Sequence, residues 1–198
     1  MKNRKLLQFL VLLHIVIITI SNFLVSIPLD IIGIKLTWAA FSFPLIIVAT
    51  DLTVRLVGKS VATRTISFAF PFAIISSFLI IYFEQNLFSI AFRISLASSI
   101  AYALSILIDI NAFQYFRDKY SYWWVAPVLS TFVSNIIDTY SFFFSAFYNS
   151  EDLYMANNWF EIATSQLIIK IIIGIIFFLP VYGILLNYLK KQILIKKK

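Results

Sequence analysis

Cysteine is absent from this sequence, histidine occurs once, and Asp, Glu, Lys and Arg together make up 13% of its 198 residues. The first absence excludes disulfides, thiolate metal sites and thiol nucleophiles together. The second leaves His14 without a partner of its own kind for a metal site. No G-x-S-x-G, H-E-x-x-H or P-loop pattern occurs, so neither an activated nucleophile nor a phosphate cradle can be named. An enzyme is therefore not expected, and neither a cofactor nor a metal is called for. The shortage of charge excludes a soluble globule, which carries about 25% charged residues.

What the chain has in place of charge is apolar surface: 61% hydrophobic residues, 21 of them phenylalanine, with a mean hydropathy of +0.93. A helix needs about 20 consecutive apolar residues to cross the hydrocarbon of a bilayer. Runs of that kind fall at about 6–27, 37–57, 65–83, 87–108, 123–148 and 159–189. The expected fold class is all-α, a polytopic membrane protein whose six transmembrane helices form a single domain over 1–198. The first run is too long for the core of a signal peptide and lacks a small-residue cleavage site, so it is expected to stay as a helix. The fourth carries Ala97 and Ala101 at four-residue spacing, which lets helix backbones approach closely in lipid.

Basic residues flank these runs unevenly. With six spans, Lys2, Arg4, Lys5, Lys59, Arg64, Arg117, Lys119 and the lysine-rich tail all fall on one side, and the opposite connectors offer little beyond Lys35. That asymmetry places both termini in the cytoplasm. It also accounts for the net charge of +7 without nucleic acid, which is not expected as a partner. Trp38, Trp123, Trp124 and Trp159 lie near predicted helix ends, where an interfacial aromatic belt belongs.

The informative residues are the polar groups inside the spans, because an ionised side chain at the bilayer centre costs at least about 2.5 kcal/mol. Asp51 and Arg55, four apart on one helix face, are expected to pair. Pro44, upstream in the same run, has no N–H to give the carbonyl of Ala40. Asn135 and Asp138 share a face of the fifth helix near mid-membrane, and Lys170 lies at similar depth in the sixth. Two acids and two bases can thus neutralise one another inside the bundle or meet a polar cargo. His14 is expected to hydrogen-bond to a neighbouring helix rather than to relay protons. Glu161, near the outer start of the sixth helix, complements the helix dipole there.

Several stretches resemble a known family. They are His14 with Ser21-Asn22, the run from Thr37-Trp38 through Ser42 to Pro44, Ala49-Thr50-Asp51-Leu52-Thr53-Val54-Arg55, Ser134-Asn135-Ile136-Ile137-Asp138-Thr139, Phe178-Leu179-Pro180-Val181-Tyr182-Gly183 and Asn187. Together they look like the bacterial queuosine-precursor transporters, which are vitamin-uptake-like integral membrane proteins. The resemblance covers nearly the whole chain. It implies a bacterial inner-membrane importer of a small purine-like solute, a 7-deazaguanine base such as preQ0 or preQ1, salvaged for queuosine in tRNA. It adds Trp38, Ser42 and Asn22 to the candidate substrate contacts Asp51, Asn135, Asp138 and Lys170, with Arg55 and Glu161 as charge partners.

A deazaguanine sets a ring N–H beside an exocyclic amine, a donor pair that a carboxylate accepts bidentately, and its carbonyl asks for a donor such as Asn or Lys. The competing expectation is a substrate-capturing membrane subunit that works with an ATP-driven partner complex. Such docking needs small residues on an exposed helix. The first helix has neither alanine nor glycine, so an ATPase partner is not favoured.

Overall fold

Every apolar run forms a helix, and the connectors after α2 are shorter than the sequence suggests. The computed structural model describes residues 2–25, 28–31, 34–85 and 87–195. Helices α1 (Lys2–Val25), α2 (Ala39–Leu56), α3 (Lys59–Gln85), α4 (Phe88–Lys119) and α5 (Val125–Phe147) are followed by α6 (Leu153–Ile173), a π-helical turn (Gly174–Phe178) and α7 (Leu179–Ile195). The last three run on as one sixth rod. The chain is thus an all-α membrane bundle with one addition, an antiparallel hairpin of β1 (Pro28–Ile31) and β2 (Ile34–Thr37), which occupies the connector before α2.

Three boundaries depart from expectation, each for a local reason. The turn after α2 is a single glycine: Gly58 has φ 116°, and its N–H and that of Val57 both close on the carbonyl of Thr53 at 3.0 and 2.9 Å. Only glycine adopts that backbone without strain, so α3 starts at Lys59 rather than at 65. α4 continues to Lys119, which turns the supposed polar connector from Asp109 onward into helix and carries Asp109 into the interior. α6 starts at Leu153 because Asp152 accepts the N–H of Met155 at 3.0 Å and caps it. Glu161 is therefore more than two turns inside α6, and the dipole role expected of it belongs to Asp152.

The π-helical turn also has a sequence cause. Pro180 cannot donate to the carbonyl of Ile176, and just before it the N–H of Leu179 reaches back five residues to Gly174. Four stretches among the described residues are long and apolar enough to cross a membrane: Arg4–Ser21, Lys59–Phe83, Phe88–Lys119 and Leu153–Gln192. α2 and α5 complete the bundle and, with α4, carry most of its buried polar groups.

α4 packs along both α5 and α3, and its buried face is built of small side chains, Ala91, Ser95, Ala97, Ser99, Ala101 and Ser105. Close backbone approach in lipid is the physical reason for that composition. Large side chains fill the core toward the end marked by Lys59 and Lys119, where Ile46, Val54, Ile110, Phe113, Tyr182 and Leu186 are buried together. Phe9, Phe23, Phe68, Phe72, Ile75 and Ile184 face outward, as lipid contact requires.

Candidate functional site

A cavity of about 370 Å³ opens between α2, α4, α5 and the sixth rod, with α3 at its edge. That lies at the lower end of the range for small-molecule sites, about 300–1,000 Å³. Most of the wall is apolar, including Ile46, Ile106, Phe142 and Phe178, and the polar groups converge from four helices: Asp51, Tyr102 and Ser105, and Asn135 with Asp138 facing Lys170. Asn135 and Asp138 do share a face, and that face is the cavity wall.

Asp138 and Lys170 form an ion pair, Nζ to Oδ2 2.9 Å, the one salt bridge among the described residues. Lys170 also donates to the hydroxyl of Thr139 at 3.3 Å, and Ser105 donates to the other oxygen of Asp138 at 3.4 Å. Each member of the pair keeps 30% of its side chain exposed. The pair is therefore balanced in charge and still reachable from the cavity. One turn of α4 before Ser105, the hydroxyl of Tyr102 is buried with no partner among the described residues. A buried, unpaired hydroxyl costs desolvation that only a ligand or water recovers here.

Asp51 also faces the cavity, though its pairing differs from expectation. Arg55 does not reach it at salt-bridge distance. Its guanidinium donates to the carbonyl of Trp123 at 2.9 Å and to the hydroxyl of Tyr182 at 3.2 Å. Helical spacing put the two on one face, but the longer arginine turned toward acceptors just before α5 and on α7. What lies against Asp51 is Asp109 of α4, close enough for the two carboxyls to share a hydrogen bond, with both residues fully buried. Ser134 donates to Asp109 at 3.3 Å, and Ser134 itself lines the cavity beside Asn135.

His14 is tied as expected. Its Nδ1–H donates to the carbonyl of Leu10 at 2.8 Å, which leaves Nε2 to accept from the hydroxyl of Thr50 at 3.2 Å. This bond joins α1 to α2 one residue before Asp51. The other candidates fall outside the cavity wall. Trp38 is half-exposed and packs on Phe41 at the start of α2, 6.1 Å between ring centroids. Ser42 is buried nearby without lining the cavity. Asn22 has its side chain outside the described ones. Glu161 is exposed on a polar stripe of α6 with Asn158, Ser165 and Gln166, and takes part in no ion pair among the described residues.

Asp109 and Tyr102 were not anticipated. Their signal was present as a stripe on one face of α4, Ser98, Tyr102, Ser105 and Asp109, at spacings of four, three and four. Ending the helix at 108 hid it.

A bundle of apolar helices around a small cavity, with a charge-balanced polar wall deep inside, defines a polytopic membrane protein with room for a small polar molecule. Residues 37–185 match the model of the family described as "Putative vitamin uptake transporter". The "Queuosine precursor transporter" of Escherichia coli (strain K12) is 43% identical over 205 residues, covering 96% of this chain and 90% of that protein. The "Probable queuosine precursor transporter" of Haemophilus influenzae (strain ATCC 51907 / DSM 11121 / KW20 / Rd) is 35% identical over 216 residues, with 97% and 91% covered. The chain belongs to this family of transporters. No solved structure matches it significantly.

Proposed function

We propose that the protein imports queuosine precursors, 7-deazaguanine bases, across the bacterial inner membrane, with both termini in the cytoplasm. The identity with queuosine precursor transporters over nearly the whole chain supports the substrate class. The one-sided distribution of Lys and Arg supports the orientation. The observation that carries the binding mode is the Asp138–Lys170 pair on the cavity wall. The Asp138 carboxylate accepts the paired ring N–H and exocyclic amine of the base, and Lys170 or Asn135 donates to its carbonyl. The Tyr102 hydroxyl supplies a further polar contact, and Phe142, Phe143 and Phe178 offer aromatic surface against the ring.

Binding by exchange of partners keeps this charge pair balanced, since Lys170 neutralises Asp138 before the base arrives. The test is uptake of a labelled deazaguanine base by cells that cannot make their own. The wild-type chain should accumulate the base, and Asp138→Asn should need at least about tenfold more of it for the same uptake. Uptake by purified protein in liposomes without any ATPase separates a self-sufficient carrier from a subunit of an ATP-driven importer, and failure there would favour the subunit.

A further inference from the structure

We propose that Asp51 and Asp109 form one proton-binding site, and that entry of the base is coupled to entry of the proton these two carboxyls share. The inference rests on the transport reading above and deepens it by naming the coupling ion. Its first ground is geometric. The two carboxyls meet across the α2–α4 contact, Asp51 1% and Asp109 0% exposed. The second is independent of their nearness: Asp51 Oδ1 and Asp109 Oδ2 are each buried without a hydrogen-bond partner among the described residues. One proton between the two groups converts an acceptor facing an acceptor into a donor facing an acceptor.

The surrounding charges do not remove the need for that proton. On α2, Arg55 lies near enough to attract Asp51 electrostatically, while its own donors go to Trp123 and Tyr182. On α4, Arg117 is two turns beyond Asp109 and donates to the carbonyl of Val54 at 3.0 Å. α5 offers Asp109 only the hydroxyls of Ser130 and Ser134, and α7 presents the phenol of Tyr182. α1 contributes His14, hydrogen-bonded to Leu10 and Thr50, and the Lys59 ammonium of α3 is bound to Asn111. Lys170 of α6 is taken by Asp138. Two adjacent buried acids against one nearby cation, Arg55, leave one negative charge over, and a single proton neutralises the group.

Position links this site to the cargo. Asp51 lines the cavity, and Asp109 reaches it through Ser134, the neighbour of Asn135. From the cavity side a proton reaches Asp51. Toward the other side, Asp51 is little more than one turn from the end of α2 at Leu56, beside the basic face. The dyad thus sits between the substrate and the compartment proposed to receive it. A proton taken up from the cavity joins the pair as the base binds, and leaves toward that face when the base is released.

The experiment uses the full chain in liposomes with the membrane potential clamped at zero and a labelled deazaguanine base as probe. Exchange of labelled for unlabelled base without any gradient reports transport itself; its absence in the wild type removes the transport reading and the coupling with it. Given exchange, one pH unit, acid outside, should concentrate the base about tenfold for one proton per base. A protonophore should abolish that accumulation, and a sodium gradient should produce none. Asp109→Asn should keep exchange and lose accumulation, its ratio falling to one. Accumulation driven by sodium, or by neither gradient, in the wild type overturns the proposal, as does an Asp109→Asn protein that still follows pH. The wild-type measurements decide the matter even if the variant fails to fold.

Discussion

Asp138 and Lys170 hold each other at 2.9 Å while each stays 30% exposed, and that combination sets what their removal does. Asp138→Asn should fold, lose a charge-assisted bond to the base, and weaken binding by about 1.5–3 kcal/mol, at least tenfold. If Lys170 were its sole partner, the same change would leave binding untouched and lower thermal stability, and Lys170→Met would restore it. Base titration and melting in detergent distinguish the two. Tyr102 allows a cleaner separation. Its hydroxyl has no partner among the described residues, so Tyr102→Phe removes no bond from the unliganded protein and should leave its melting temperature unchanged or slightly raised. Base affinity should fall by about 0.5–1.5 kcal/mol, the net worth of one hydrogen bond. Equal affinity in the two proteins would take Tyr102 out of the site.

At the scale of elements, the contacts between helix ends matter most. A Cβ on Gly183 of α7 would lie 2.8 Å from the ring of Trp123, which stacks on Tyr182 at 6.3 Å between centroids and whose carbonyl holds Arg55. Gly183→Ala should therefore destabilise the bundle by about 1–3 kcal/mol, the usual cost of overpacking, read as a lowered melting temperature. The π-helical turn gives a second test. Gly174, Ile175, Phe178 and Leu179 line the cavity, so the wider turn imposed by Pro180 decides which side chains of the sixth rod face the substrate. Pro180→Ala supplies the missing N–H and permits ordinary helix, rotating these residues relative to α6. Uptake should fall while the protein remains folded in the membrane; wild-type uptake in that variant would show that the turn is dispensable.

For the whole molecule, the proposed topology has all six rods crossing the membrane, so that both ends fall on one side, and the positive-inside rule makes that side the cytoplasm. A reporter fused to the C-terminus should be active when it requires the cytoplasm and silent when it requires the periplasm. The opposite pattern would mean an odd number of crossings. The polar interior belongs to the same scale. Asp51, Asp109, Asp138, Arg55 and Lys170 come from four different rods, so the cavity exists only in the assembled bundle.

The sequence by itself determined the class of protein and the shared face of Asn135 and Asp138, because hydrophobic run length and helical spacing are local properties of the chain. It also placed Lys170 at the matching depth, since depth follows from the rise per residue. Where α4 ends was not legible. Its last three turns hold Asp109, Asn111, Arg117 and Asp118, which read as a surface turn until Phe113 and Ile110 are seen packed in the core. Only the tertiary structure decided that Asp51 faces Asp109, that Arg55 turns to Trp123 and Tyr182, and that Trp38 stays outside the cavity wall. Those outcomes depend on how each helix is rotated against its neighbours, and that rotation is set by packing between residues far apart in the chain, which no local spacing encodes.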